Sequence, residues 1–178
     1  MKATGIVRRI DDLGRVVIPK ELRRTMRIRE GDALEIYTDG DGGVVFKKYS
    51  PVGEMGQLAE SLAEILYKTV GLPCGICDRD SCVAVGGSGK KELLGRRLSP
   101  DLEDYMEQRK VFVNDAKDSL YPLEGVGRRA SVAVPVITSG DVTGAVILFQ
   151  KDGVSIEEST SVTAATLTAQ IMSNRLDS

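Results

Sequence analysis

Hydrophobic and polar positions divide the chain into a short β-rich head and a longer body in which helical and strand periods alternate. In the head, Gly5 to Ile10 and Arg15 to Ile18 are β-rich runs on either side of the turn DDLG, which predicts two short strands. Pro19 suits the first position of a helix, where a missing N–H costs nothing. Lys20 to Arg27 follows, with Leu22 and Met26 four apart as its apolar stripe, and REGD ends it. Ala33 to Asp39 alternates with Leu34 and Ile36 on one side, and Gly43 to Tyr49 returns after the turn DGDGG.

SPVGEMG then shifts the composition and sets Pro beside Gly. This predicts a head over 1–50, a linker over 51–55 and a body over 56–178. The body opens with a helix from about Glu54 to Val70, on which Met55, Leu58, Leu62, Ile65 and Leu66 recur at threes and fours. Two strands are expected at Gly75 to Asp78 and Cys82 to Gly86, then a short helix around Lys90 to Leu94. Ser99 caps another helix that Pro100 opens and that runs to about Arg109. VFVND makes a small strand, ASVAVPVI and TGAVILF make a long hairpin around TSGD, and Ile156 to about Leu176 makes a closing helix. The order predicts an α+β fold, an antiparallel sheet with helices packed over it. On the closing helix Ala165, Ala169, Met172 and Leu176 form one stripe, and Ala164, Leu167 and Ile171 form a second. That arc is wider than covering one sheet face requires. The second stripe meets either a partner helix or the first helix of the same body.

Charge changes the picture of the head. A net charge of −2 conceals nine basic residues against three acidic ones over positions 1–29, a balance of +6 that leaves −8 for the remainder. Lys20, Arg23, Arg24 and Arg27 gather on the helix face opposite Leu22 and Met26. Such a head on an acidic body points to a polyanionic partner, with nucleic acid first. A unit of about 50 residues buries too little surface to be more than marginal alone. With no disulfide or metal to staple it, a second copy is the expected support, two chains completing one core with their hairpins. Arg8 shares the phase of Ile6 and Ile10, so strand twist or a strand end must carry it outward.

Candidate chemistry is sparse. The chain has no histidine, which removes Ser-His-Asp and Cys-His catalysis, a phosphoacceptor histidine and any His-ligated metal. No catalytic residue, metal or cofactor is therefore assigned, and an enzyme is not expected. Three cysteines, an odd number, speak against a disulfide framework and for a reducing cytoplasm. No apolar run approaches the roughly 20 residues of a membrane span, and no signal peptide is expected at the charged N-terminus. GGSGKKELLG is not a P-loop, because Ala84 stands where its first Gly is needed and Lys91 where Ser or Thr would hold magnesium. Cys74, Cys77 and Cys82 make an incomplete zinc set, and residues three apart on a strand face opposite ways. Burial as small hydrophobes is the expectation for them, with redox sensing left open.

The run KATGIVRRIDDLGRVVIPKELRRTMRIREGDALEIYTDGDGGVVFKKY, above all GRVVIPKELRR, closely resembles the DNA-binding domain of AbrB-type transition-state regulators. The resemblance implies a swapped-hairpin, barrel-like dimer that grips double-stranded DNA, tolerating varied sequences by reading shape as well as bases. By motif position it places the contacts at Arg8, Arg15, Arg23 and Arg24, with Lys2 and Arg9 secondary. The order of elements in the body and the hairpin VAVPVITSGDVTGAVILF resemble a GAF sensory domain, with a PAS-type sensor as the close alternative. Together the two parts resemble the stage V sporulation protein T family. This implies a cytoplasmic, forespore regulator that activates and represses late sporulation genes, tied into a tetramer by its body helices. The Asn-Lys, Phe, Asp-Glu motif of cyclic-nucleotide-binding GAF domains is absent. A small-molecule ligand and a purely structural body are both open. If a pocket exists, Cys77, Val85, Gly86, Ser88, Asp115, Ser131 and Val134 are its expected lining. AbrB-type heads also occur in antitoxins that bind a protein partner, which is the alternative reading; a ligand-hydrolysing body is a more distant one.

Overall fold

A computed structural model describes residues 4–115, 117–154 and 157–177. Contacts divide the chain into two units, with the boundary between Tyr49 and Ser50.

In the first unit, helix α1 (Lys20–Thr25) precedes an antiparallel hairpin of β1 (Leu34–Thr38) and β2 (Val44–Lys48), in register from Leu34 opposite Lys48 to Thr38 opposite Val44. Pro19 is the capping residue of α1, one place earlier than the pattern predicts. The Asp39 carboxylate closes the hairpin by accepting from the N–H groups of Asp41 (3.1 Å) and Gly43 (2.6 Å). Lys48 reaches back to donate to the Arg27 carbonyl at 3.0 Å and to pair with Asp32 at 3.4 Å, which joins the hairpin to the end of α1.

The two strands expected before α1 are not in a ladder. Among the described residues, Gly5 to Ile10 and Arg15 to Ile18 carry no strand pairing, and the tight turn between them is closed by Gly14 N–H to Asp11 O (3.0 Å) and Asp11 N–H to Arg15 O (3.1 Å). Ile6, Val7, Ile10, Leu13, Val16 and Val17 stand exposed. A β-run becomes a strand only where another edge offers its N–H and C=O groups, and β1 and β2 pair with each other.

The second unit runs α2 (Pro51–Glu54), α3 (Gly56–Val70), β3 (Cys74–Cys77), β4 (Cys82–Gly86), α4 (Lys90–Leu93), α5 (Pro100–Glu107), β5 (Phe112–Val113), β6 (Ala130–Thr138), β7 (Asp141–Phe149) and α6 (Glu158–Leu176). Its five strands lie in the order β4-β3-β7-β6-β5 and pair antiparallel throughout. The expected linker is a different object. Residues 51–54 form the turn of helix α2, capped by Ser50, whose hydroxyl accepts from Gly53 N–H at 3.0 Å, and Val52 is fully buried in the body core. An apolar Val directly after a Ser cap and a helix N1 proline is better placed inside than in a free tether.

α3 and α6 cover one face of the sheet around Ile76, Ala84, Val134, Val146 and Leu148. The other face carries Val85, Ile147 and Phe149 with Leu93 of α4, Leu102 of α5 and the connecting loops. The β6–β7 turn is a two-residue connection in which Ser139 (φ 50°) and Gly140 (φ 88°) are both left-handed, the geometry whose twist suits a hairpin. Pro135 is tolerated inside β6 because β5 pairs only with Val132 and Ala133, leaving the proline's outer side without a partner strand.

Candidate nucleic-acid interface and the faces of the body

The arginines of the first unit point to solvent. Arg8, Arg9, Arg15, Arg23 and Arg24 are all exposed, and α1 buries none of its residues. Arg27, the remaining arginine of the predicted basic face, is half-buried, as is Arg29. Lys2 lies outside the described residues. Arg8 donates to the neighbouring Val7 carbonyl, at 3.2 Å. Arg15 is fixed more firmly: the Asp11 carboxylate accepts from its backbone N–H and from its Nε, each at 2.8 Å, while 70% of the Arg15 side chain stays exposed. The backbone and side-chain donors of Arg15 hold the Asp11 carboxyl below its ordinary range. Sequence reading missed Asp11 as a positioning residue. Its signal was an aspartate at the start of a four-residue turn with an arginine just beyond, the usual place for a side chain that accepts from backbone two and four residues on.

The seven residues expected to line a body pocket do not gather. Cys77 and Val85 are buried on the α4/α5 side of the sheet, whereas Val134 is buried on the α3/α6 side. Gly86 belongs to a close contact instead: a Cβ there would stand 2.0 Å from the Ala63 carbonyl oxygen of α3. Ser88 and Asp115 are exposed and Ser131 is half-buried. Strand alternation is the reason, since neighbours on one strand face opposite ways and a run such as Val85-Gly86 cannot line one cavity. Asp115 borders a shallow depression of about 470 Å³ with Asn114, Lys117, Arg129 and Gln150. Its carboxylate is occupied there by the N–H groups of Lys117 and Asp118, both at 2.7 Å. An adjacent depression of about 440 Å³ is bordered by Tyr105, whose hydroxyl donates to Asp118 at 2.5 Å; that bond raises the Tyr105 pKa.

All three cysteines are free thiols and buried. Cys74 donates to the Ala63 carbonyl at 3.0 Å, and burial pushes its thiol up to about 12. Cys77 is raised by its hydrogen bond with Cys82 and then by burial. Among the described residues no group of three or more metal-ligating side chains converges. No described helix is long and apolar enough to cross a membrane. On α6 the stripe of Ala165, Ala169 and Met172 is buried against the sheet, but Leu167 (54%) and Ile171 (48%) are exposed, and so is Ile65 (59%) on α3. Of the second stripe, Ala164 packs against the core, while Leu167 and Ile171 are left uncovered by the first helix of the body.

A basic, surface-exposed head on an α+β body is the build of a DNA-binding transcription regulator, and comparison with known proteins gives that class its family. Residues 54–177 match the family described as stage V sporulation protein T C-terminal, transcription factor, and residues 7–54 match the family described as antidote-toxin recognition MazE, bacterial antitoxin. The chain is 53% identical over 155 residues to stage V sporulation protein T of Bacillus subtilis, covering 85% of this chain and 86% of that one. It is 67% identical over 51 residues to the Bacillus subtilis transition state regulatory protein AbrB, 29% of this chain and 52% of that protein. The solved N-terminal DNA recognition domain of AbrB is 65% identical over 29% of this chain and 94% of its own, with a TM-score of 0.25. The body shares its fold with the GAF domain/HD domain protein of Geobacter sulfurreducens, at a TM-score of 0.53 and 17% identity over 73% of this chain and 98% of that one. The chain belongs to the stage V sporulation protein T family.

Proposed function

We propose that the head works as an interleaved dimer whose Arg8, Arg15, Arg23 and Arg24 grip double-stranded DNA, with Lys2 and Arg9 adding secondary contacts. The observation that carries this reading is the unpaired segment 5–18. Among the described residues its ladder groups have no partner strand, and Ile6, Val7, Ile10, Val16 and Val17 are exposed beside exposed arginines. A second copy supplies the missing edge, buries those side chains and doubles the basic surface. Guanidinium forks suit both phosphate oxygens and the O6 and N7 edge of guanine. The named DNA recognition domain of AbrB, 65% identical to this head, supports the same partner.

The body then ties two such dimers into a tetramer through Ile65, Leu167 and Ile171, the uncovered stripe of α3 and α6. Its second role is to sense an unidentified small molecule, for which the polar depressions around Tyr105, Asp118 and Arg129 offer room. The protein is a cytoplasmic regulator that both activates and represses late sporulation genes, and not an enzyme; the absence of histidine supports that last point. The head's match to an antitoxin family favours a second reading, binding of a protein partner. Against it stands the folded body in place of the short disordered tail such proteins use.

The experiment is light scattering and duplex DNA binding on the full chain. Val17→Asp in the unpaired segment is expected to lose the head dimer and DNA binding together. Leu167→Glu with Ile171→Glu is expected to halve the particle mass and keep DNA binding at lower affinity. A monomeric wild-type chain, or tight DNA binding by Val17→Asp, contradicts the reading.

A further inference from the structure

Cys77 and Cys82 face each other across the β3–β4 hairpin. The two strands run in register from Cys74 opposite Gly86 to Ile76 opposite Ala84, and a bulge after Ile76 skips Val83 so that Cys77 falls opposite Cys82. Without that bulge Cys77 would sit opposite Val83. Both cysteines lie in the core on the α4/α5 side, 0% and 1% exposed, whereas Cys74 is buried on the α3/α6 side.

The backbone of Cys82 is committed outward. Its N–H donates to Arg96 O at 2.9 Å, and its carbonyl accepts from Gly95 N–H at 2.8 Å. The Cys77–Cys82 pair is therefore a non-hydrogen-bonded pair of the β3–β4 ladder, the kind whose Cα atoms approach to about 4.5 Å. Disulfides span Cα separations of about 4.4–6.8 Å. The Cys82 thiol is bonded only loosely, donating to the Ala84 carbonyl within its own strand at 3.4 Å.

We propose that Cys77 and Cys82 are a redox-modifiable dithiol that a peroxide-class oxidant closes to an intrachain disulfide, with Cys74 remaining a free thiol. In the opened state one thiol gives its proton to solvent. Its thiolate attacks an oxygen of hydrogen peroxide and becomes a sulfenic acid as the O–O bond breaks, and the departing hydroxide takes up a proton to leave as water. The second sulfur then attacks that sulfenic sulfur, forming the S–S bond and releasing a second water. Two thiols are oxidised by two electrons, and one peroxide is reduced to two waters. Cys82 opens the edge strand β4 and follows the turn 78–81, which the Asp78 carboxylate fastens through Asp80 N–H (2.8 Å) and Ser81 N–H (2.7 Å). Local opening of this turn, rather than of the sheet centre, is the route by which a small oxidant enters. Cys74 has no opposing thiol, because the residue across from it is Gly86.

The test treats the folded full-length protein with hydrogen peroxide, quenches it, and maps disulfides by mass spectrometry of an unreduced digest. The expected product is a peptide bearing the Cys77–Cys82 bond, lighter by two hydrogens than its reduced form, with one titratable thiol left per chain. Cys74→Ser should leave the product unchanged, and Cys77→Ser or Cys82→Ser should abolish it. Sulfinic acid at single sites, a bond that includes Cys74, or three surviving thiols after full exposure to peroxide overturns the proposal. The wild-type map decides the matter even if a serine variant fails to fold.

Discussion

Gly86 packs so closely on α3 that no side chain fits between it and Ala63. A Cβ at Gly86 would lie 2.0 Å from the Ala63 carbonyl oxygen and 2.8 Å from the Cys74 sulfur. The neighbour is helix backbone, which cannot yield without moving α3 off the sheet. Gly86→Ala is expected to cost about 3 kcal/mol, the upper end of overpacking effects, read as a lowered thermal midpoint. Gly56→Ala is the contrasting change, since a Cβ there meets nothing within 4 Å. It should leave stability unchanged or raise it by about 0.5 kcal/mol.

Asp11 both fixes Arg15 and offsets its charge. Asp11→Asn keeps an oxygen that accepts from the Arg15 backbone and removes a negative charge from the basic face. DNA affinity at low salt is expected to rise a few-fold, measured by fluorescence anisotropy. The Asp11 carboxyl is lowered from 3.8 in the folded protein. Its contribution is therefore complete above the unfolded value and is lost as pH falls through the lower, folded one. The carboxyl carbon, followed by NMR, should titrate below 3.8 in wild type and less far below it in Arg15→Ala, which removes the guanidinium donor but keeps the backbone N–H that is the larger cause.

Ser99 caps α5 by accepting from the Leu102 N–H at 3.2 Å in a site only 9% exposed. Ser99→Ala removes that acceptor and leaves the N–H buried. The expected loss is about 1 kcal/mol, seen as an earlier urea midpoint with an unchanged slope.

Much of the body was legible in the sequence because its signals are local. Ser99-Pro100 announces the start of a helix, and TSGD announces a two-residue hairpin; both stand where the pattern puts them. The head was legible in charge but not in strands. Gly5 to Ile10 reads as β because its residues favour the pleat, yet propensity says nothing about which chain provides the partner edge. The residues expected to line a pocket failed for a different reason. Val85 and Gly86 are adjacent in sequence, but alternation sends them to opposite faces, and Gly86 owes its identity to α3. Val52 shows the limit of reading composition, since Pro and Gly nearby look like a tether while the valine between them is core. The Cys77–Cys82 pairing depends on a one-residue bulge, which no periodicity reveals.

The most direct measurement is binding of the full chain to promoter-length duplex DNA across a salt series, wild type beside Arg23→Ala with folding checked. On the proposed reading, four arginines per chain in a dimer would engage about eight phosphates, so log affinity should fall with log salt at a slope of about −7, and Arg23→Ala, lost twice per dimer, should flatten it by about 2. A wild-type chain that does not bind duplex DNA at low salt, or an Arg23→Ala variant with the same affinity and slope, contradicts the assignment of these arginines to DNA.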